Sequence, residues 1–202
     1  MRIIVIGGTG TIGKAVATAL SGTHEVIVVA RTSSDHRVDI TSVQSIGELF
    51  NGLGPIDAVV VTAGQAAYKP FAELEVEDFA FSLGSKLMGQ VNIARIALPH
   101  IRDGGSITLT SGSFAHEPVP NGAAISLVNA GLEGFVGAAA LELPRGIRIN
   151  VVSPPIVGDF RLDATNTKVE RMPASDVARA YVESVEGMVT GTVIDTRPFA
   201  RH

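Results

Sequence analysis

The sequence contains neither cysteine nor tryptophan among its 202 residues. The missing cysteines exclude disulfides, thiolate metal sites and cysteine nucleophiles. The five histidines are scattered and lack the close spacing of metal ligands. The sequence therefore predicts no metal site.

Charge and hydropathy argue against binding to nucleic acids and against insertion into a membrane. The formal net charge is −4 and lysine and arginine do not cluster, so nucleic-acid binding is not expected. No apolar run approaches the roughly 18 residues that a membrane span needs. The apolar stretch 2–6 is too short for the core of a signal peptide, and we expect a cytoplasmic location.

Short apolar runs and longer periodic stretches alternate along the chain. The runs predict strands at 2–6, 25–30, 36–39, 57–62, 105–110, 146–152 and 191–195. The periodic stretches predict helices at 10–20, 41–50 with a capping box beginning at Thr41, 75–100, 122–143 and from about 175. This alternation predicts an α/β fold, a single Rossmann-type domain over 1–202. Its doubly wound parallel sheet would have about seven strands and helices on both faces. The polar stretch 159–167 is interpreted as a mobile lid or a plain surface loop.

A glycine-rich segment joins the first strand to the first helix. Gly7 permits a tight turn, Gly10 lets the backbone approach a pyrophosphate, and Gly13 lets the helix pack close to the sheet. The helix N-terminus adds free N–H groups and the positive end of its dipole. The predicted dinucleotide-binding residues here are Gly7, Gly8, Thr9, Gly10, Thr11, Ile12 and Gly13.

The end of the second strand indicates which dinucleotide is bound. Sites for NAD usually carry a carboxylate there, whereas this chain has Ala30 followed by Arg31, Thr32 and Ser33. An arginine can pair with a 2′-phosphate, and the hydroxyls can hydrogen-bond to it. The sequence favours NADP over NAD, and the alternative is that Arg31 is only a solvated loop charge.

Several further segments resemble the short-chain dehydrogenase/reductase family, in order and over nearly the whole chain. They are Asp39-Ile-Thr41, Val61-Thr-Ala-Gly64, Gly104-Gly-Ser-Ile-Thr-Leu-Thr-Ser111, Arg148-Ile-Asn-Val-Val-Ser-Pro154, Asp176-Val-Ala178 and Thr190-Gly191. The resemblance implies an oxidoreductase that binds a nicotinamide dinucleotide. It adds these cofactor-binding residues: Asp39, Ile40, Ala63, Gly64, Pro154 and Ile156.

The catalytic positions of the family are all changed in this chain. Aligning residues 129–135 on the family's Lys-Ala-Ala-x-x-Gly-Leu places Asn129 at the lysine position and Ile125 at the tyrosine position. Gly112 then takes the serine position and Lys86 the asparagine position. Isoleucine cannot exchange a proton and asparagine carries no charge, so the usual proton route is missing.

Four other side chains are candidates to replace the lost groups. Ser111 or Ser113 would orient a substrate oxygen, His116 would act as an acid or base, and Lys86 would supply charge or a proton. Tyr68 is expected to overhang the cleft. The structural alternatives are turn formation for the serines, rim positions for His116 and Tyr68, and a surface position for Lys86.

Two functions remain open for the sequence as a whole. The first is an NADP-dependent oxidoreductase that uses a rearranged site on a small carbonyl or alcohol. The second is a catalytically inactive NADP(H)-binding sensor or regulatory protein. A scaffold without nucleotide is disfavoured by the glycine segment. The small residues at 131, 134 and 137–140 are interpreted as tight packing on the sheet or as a subunit contact, and the family resemblance implies a homodimer or homotetramer.

Overall fold

The computed structural model describes residues 1–158 and 171–200, so the predicted lid at 159–167 lies outside the described residues. The strands are β1 Arg2–Ile6, β2 Glu25–Ala30, β3 His36–Arg37, β4 Ile56–Val61, β5 Ile101–Thr110, β6 Arg148–Ser153, β7 Ile156–Val157, β8 Arg171–Met172 and β9 Val193–Asp195. Seven of them form a sheet in the order β3-β2-β1-β4-β5-β6-β9, with every neighbouring pair parallel. The predicted doubly wound sheet is confirmed. Its strand order reverses between β1 and β4, which opens a crevice at the carboxyl edge.

Helices cover both faces of this sheet. They are α1 Thr11–Ser21, α2 Val43–Leu53, α3 Val76–Ser82, α4 Gly89–Ala97, α5 Ala123–Ala139 and α6 Ala174–Glu186. Apolar side chains of α2, α4 and α5 form one buried cluster with the sheet, and those of α1 and α6 form the other. The central strands β1, β4 and β6 are buried on both faces, which explains their nearly continuous apolar sequences. Within the described ranges, no helix has the length and apolar character of a membrane span.

The long helix predicted over 75–100 is interrupted in the structure. A π-helical turn, Leu83–Met88, separates α3 from α4, and a 3₁₀ turn, Leu98–His100, follows α4. A π turn shifts the backbone hydrogen bonds from i+4 to i+5, and such turns are frequent at functional sites. Here the turn carries Lys86 to the carboxyl edge of the sheet.

Two predicted boundaries differ from the structure for local reasons. Ser42, not Thr41, caps α2, and its hydroxyl accepts a hydrogen bond from the backbone N–H of Ser45 at 3.2 Å. Thr41 lies one residue before this cap, and its hydroxyl donates instead to Asp39 at 2.7 Å. Strand β5 begins before the predicted residue 105, because its pairing with β4 shifts register between Ile56 and Ala58. Regular pairing starts at Ser106, one residue after the predicted start of the strand.

The predicted helix over 122–143 also ends early, since α5 stops at Ala139. A proline keeps only the residue before it, here Leu143, out of helical backbone angles. The chain leaves α5 earlier through tight turns, in which the Leu141 N–H donates to the Ala138 carbonyl at 3.2 Å. The short pair β7–β8 was not predicted, because two-residue strands leave little periodicity to detect.

Candidate functional site

The glycine segment turns sharply at the end of β1. Gly7 has a φ of +85°, which favours glycine, and its N–H donates to the carbonyl of Val29 at 2.9 Å. A Cβ added at Gly13 would collide with the Gly7 carbonyl group. Both glycines are therefore required for α1 to begin this close to β1.

The N-terminus of α1 is free to meet an anion. Its N-cap is Gly10, and within the described ranges no side chain caps the helix. The first N–H groups of a helix have no intrahelical partner, and they carry the positive end of the dipole. This arrangement suits a phosphate or pyrophosphate.

A cleft of about 320 Å³ lies on the β2 side of this turn. Its walls include Gly7, Thr9, Gly10, Arg31, Val38, Asp39, Ile40, Ala63 and Gly64. The Thr41 hydroxyl donates to the Asp39 carboxylate and is the main favourable influence that lowers the pKa of Asp39, with a smaller contribution from Arg31. The cleft therefore offers apolar side chains, a carboxylate and an arginine among its described walls.

Three of the residues assigned to the cofactor lie outside the described walls of the two clefts. Gly8 packs against Val28, where a Cβ would be 2.8 Å from a side-chain methyl. Ser33 donates from its hydroxyl to that of Thr9 at 3.1 Å, which keeps the turn after β2 beside the glycine segment. Thr32 is an exposed neighbour in the same turn.

A second cleft of about 460 Å³ continues from the first toward β5 and β6. The two share Gly10, Thr62 and Gly64, so together they form one groove along the carboxyl edge. The second cleft is lined by Gly10, Thr11, Ile12, Gly13, Thr62, Gly64, Lys86, Thr110, Ser111, Gly112, Ser113, Phe114, Ile125, Asn129, Pro154, Pro155, Ile156 and Val157. Such a volume falls in the usual range of small-molecule sites, about 300–1,000 Å³.

Lys86 supplies the cation in the wall of this second cleft. Its ammonium donates to the backbone carbonyl of Ser111 at 3.0 Å. Desolvation by the surrounding protein lowers the pKa of Lys86 from 10.5 to about 8. An amine with a pKa in this range can both give and take a proton near neutral pH. Gly64 makes room for it, since a Cβ there would lie 2.9 Å from the Lys86 Cα.

Ser111 and His116 are joined by a residue that the sequence did not single out. The Glu133 carboxylate, whose side chain is 9% exposed, accepts a hydrogen bond from the Ser111 hydroxyl at 2.9 Å. Its other oxygen lies 2.6 Å from Nε2 of His116. His116 is 68% exposed, and it is not among the described residues that line the clefts. Ser113 lines the second cleft, and its backbone N–H donates a hydrogen bond to the Pro154 carbonyl at 2.9 Å.

The positions of the family's serine, tyrosine and lysine come together in the same wall. Gly112, Ile125 and Asn129 all line the second cleft. The Asn129 amide nitrogen donates to the Gly112 carbonyl at 3.2 Å. Ile125 presents only hydrocarbon and Gly112 has no side chain, so these three positions provide shape and no acid.

Neither tyrosine replaces the missing acid. Tyr181 is fully buried in α6, and its hydroxyl lies 2.7 Å from that of Thr110. Burial raises the pKa of Tyr181 well above its usual value. Tyr68 is half-buried and is not among the described residues that line the second cleft.

Besides Glu133, which lies behind the wall, several residues of the wall itself were not predicted from the sequence. Thr62, Thr110, Phe114, Pro155 and Val157 line the second cleft. Thr62 follows the last residue of β4 and Thr110 is the last residue of β5. Ligands of such sheets bind at the carboxyl ends of the strands, and that rule could have found both residues. Glu133 left no comparable signal, because its partners come from a separate loop.

Comparison with known proteins gives matches over most of the chain. The family described as enoyl-(acyl carrier protein) reductase matches residues 12–185. The hydroxynaphthalene reductase-like protein Arp2 of Metarhizium brunneum is 29% identical over 189 residues, covering 81% of this chain and 71% of that protein.

Two solved structures are more similar in sequence than this relative. The protein lin1944 from Listeria innocua is 38% identical with a TM-score of 0.93, covering 96% of this chain and 98% of its own. A small-chain dehydrogenase solved in complex with NADPH is 30% identical with a TM-score of 0.84, covering 96% of this chain and 95% of its own.

Proposed function

Because the chain belongs to the short-chain dehydrogenase/reductase family, we propose that it is an NADP(H)-dependent oxidoreductase that acts on a small carbonyl or alcohol through a rearranged site. One observation carries the proposal: the wall of the second cleft holds a lysine ammonium whose lowered pKa suits proton exchange. The second cleft is continuous with the first cleft, which lies beside the glycine segment.

The residues of the groove fit a nicotinamide dinucleotide. The uncapped N-terminus of α1 would hold the pyrophosphate, and the cleft with Arg31 and Ile40 would take the adenosine half. The nicotinamide half would lie in the second cleft, against Pro154 and Ile156. When bound, the nicotinamide supplies or accepts the hydride.

Lys86 performs the proton chemistry in this proposal. Its ammonium donates a hydrogen bond to the substrate oxygen and gives that oxygen its proton as the carbonyl becomes a hydroxyl. The neutral amine then regains a proton from solvent. In alcohol oxidation the neutral amine removes the hydroxyl proton instead. Ser113, in the same wall, orients the substrate.

Arg31 explains the preference for NADP. The NADPH found with the small-chain dehydrogenase supports the same cofactor here. Arg31 lines the first cleft at the end of β2, and Ser33 holds the same turn through Thr9. The guanidinium would form a bidentate pair with a 2′-phosphate, which NAD lacks.

Arg31→Asp should invert the nucleotide preference. The substitution removes a charge-assisted pair with the 2′-phosphate and adds a carboxylate that repels it. The affinity for NADPH should therefore fall at least about 30-fold, while NADH binds equally well or better. Fluorescence titration of both nucleotides measures this. Arg95→Asp, on the exposed surface of α4, is the control and should change neither. An unchanged ratio in Arg31→Asp would refute the role of the arginine.

A second function is favoured by one observation, the hydrocarbon side chain of Ile125 at the family's tyrosine position. In that case the chain is an NADP(H)-binding sensor without redox turnover. Rapid-mixing measurements separate the two. If the protein is an enzyme, at least one member of a panel of aldehydes and ketones should oxidise the bound NADPH. If no member of the panel does so, the protein is the sensor.

We propose that the protein is a homo-oligomer in which α5 contributes to the subunit contact. The glycines of α5 divide into two groups. A Cβ at Gly131 would lie 3.1 Å from the Leu87 side chain, so this glycine serves packing within the chain. Gly134 and Gly137 have nothing within 4 Å in the part of the chain that the structure describes, and Leu127 is 48% exposed. Light scattering should give at least twice the mass of the monomer.

A further inference from the structure

Gln90 is a fully buried polar residue at the start of α4, directly after the π turn. Burying a carboxamide is costly unless its polar groups are hydrogen-bonded. Its oxygen accepts from the Thr110 N–H at 2.8 Å, and its nitrogen donates to the Thr110 carbonyl at 2.9 Å and to the Lys86 carbonyl at 3.1 Å. Both hydrogens of the amide therefore have acceptors, and its oxygen has a donor.

The Gln90 amide continues the hydrogen bonding of β5 past the end of β4. The paired residues of these strands end at Val60 and Thr108, and β4 itself ends at Val61. Thr110 lies beyond the last of these pairs. A carboxamide carries the same donor and acceptor groups as a peptide unit, so Gln90 bonds to Thr110 as a neighbouring strand would. A side chain of α4 thus joins the π turn to the end of β5.

Lys86 is connected to this strand end through both its backbone and its side chain. Its backbone carbonyl is linked to Thr110 through Gln90, and its ammonium donates to the carbonyl of the next residue, Ser111, at 3.0 Å. Thr110 and Ser111 both line the second cleft. Gln90 therefore sets the distance between the Lys86 backbone and the carbonyl that receives its ammonium.

The environment of the ammonium gives a direct measure of this arrangement. The charged residues of the helices packed against the π turn are Glu77 and Asp78 on α3, Arg95 on α4 and Glu133 on α5. Desolvation lowers the pKa of Lys86 to about 8, and none of these four charges contributes to the shift. The pKa of Lys86 thus reports how closely the protein encloses the ammonium.

We propose that Gln90 is a positioning residue whose amide holds the π turn against the end of β5, so that the Lys86 ammonium meets the substrate oxygen from a fixed place in the cleft wall. Gln90 is not among the described residues that line either cleft, so it acts through Lys86 and not on the ligand. The inference rests on the proposed oxidoreductase function and adds a residue on which its proton transfer depends.

Gln90→Met should raise the pKa of Lys86. Methionine keeps an unbranched side chain and removes all three hydrogen bonds, so water enters to satisfy the released backbone groups and also hydrates the ammonium. The pKa should rise by at least about 1 toward its ordinary value of 10.5. NMR titration of ¹³C-labelled lysine measures this pKa without substrate. The chain has four lysines, and Lys86→Met identifies the resonance.

The same substitution should slow the chemistry only while Lys86 is present. With the panel carbonyl that the wild type reduces fastest, Gln90→Met should lower the single-turnover rate of NADPH oxidation about tenfold, because the acid is misplaced. NADPH affinity should stay within about threefold. Added to Lys86→Met, it should cause no further loss, because no ammonium is left to position.

Thr108→Val is the control for a merely structural effect. Thr108 is buried in the same strand, its hydroxyl pairs with that of Ser184 at 2.7 Å, and it lies outside the described walls of both clefts. Valine keeps its shape, so this variant should lose stability and leave both the pKa of Lys86 and the rate unchanged. If Gln90→Met fails to fold, Gln90→Asn replaces it. This amide is one methylene too short to reach Thr110, and the pKa should rise in the same direction.

The results separate this inference from the proposed function. An unchanged pKa of Lys86 in the folded Gln90 variant would overturn the inference, as would an equal rise in Thr108→Val. Rate losses that multiply in the double variant would also overturn it, because Gln90 would then act independently of Lys86. If the pKa rises as expected but the wild type reduces no panel carbonyl, Gln90 does position Lys86 and the oxidoreductase function is wrong.

Discussion

Lys86→Met should abolish most of the carbonyl reduction while leaving NADPH binding nearly intact. Methionine keeps the unbranched stem and removes the ammonium, so the substrate oxygen loses both its hydrogen bond and its proton source. General acids typically contribute about 10²–10⁴-fold, and we expect a loss of that order in the single-turnover rate of NADPH oxidation. NADPH affinity should stay within about threefold, because the lysine is assigned to the substrate.

The role of Lys86 also predicts how the rates of carbonyl reduction and alcohol oxidation change with pH. The pKa of Lys86 is lowered to about 8, so its protonated fraction falls as the pH rises through that value. Carbonyl reduction, which uses the ammonium, should slow above pH 8, and alcohol oxidation, which uses the neutral amine, should accelerate. Lys86→Arg is the matched control, because arginine keeps the charge but does not release its proton. It should bind substrate, react slowly and show no inflection near pH 8.

A third measurement on Lys86 needs no substrate. Its folded pKa of about 8 lies below the ordinary value of 10.5, so the unfolded chain binds more protons between these values. The free energy of unfolding of the wild type should therefore rise with pH in this window, relative to Lys86→Met. A wild-type rate that is flat across pH 8, together with Lys86→Met turnover within threefold of it, would remove the lysine from the mechanism.

Gly13→Ala should disable the nucleotide site even if the protein folds. The new methyl group would overlap the Gly7 carbonyl, and neither backbone can move without opening the turn between β1 and α1. We expect overpacking to cost about 1–3 kcal/mol of stability. Because the N–H groups of α1 that would hold the pyrophosphate are displaced, the affinity for NADPH should fall at least about 100-fold, as measured by fluorescence titration.

Gly47→Ala provides the matched control for that substitution. Gly47 also lies inside a helix, α2, and a Cβ there meets nothing within 4 Å in the described part of the chain. Alanine favours helix over glycine, so this variant should be stabilised by about 0.5–1 kcal/mol and bind NADPH normally. If Gly13→Ala behaved like Gly47→Ala, the tight turn would have no role in nucleotide binding.

The fold was predictable because its signals are local. Buried parallel strands read as apolar runs, and the segment from Gly7 to Gly13 follows the first of them directly. The same locality gave the NADP assignment from Arg31, which agrees with the NADPH bound by the 30% identical dehydrogenase. Strands of two residues, such as β7, are too short to show the repeat of apolar residues from which a strand is predicted.

The interior of the site was less predictable, because it depends on contacts between distant segments. Nothing local shows that Glu133 joins Ser111 to His116, which come from different elements. The π turn was also hidden, since a shift of backbone hydrogen bonds leaves the apolar pattern of 75–100 almost unchanged. Lys86 was recognised only through its place in the family's pattern, and its lowered pKa required the packing around it.

Calorimetric titration of the wild-type protein with NADPH and NADH tests directly whether the groove at the carboxyl edge holds a phosphorylated nicotinamide dinucleotide. We expect one NADPH site per chain, with NADH bound at least about tenfold more weakly because it lacks the phosphate that pairs with Arg31. No measurable heat from either nucleotide at millimolar concentration, with the melting temperature also unchanged, would contradict it.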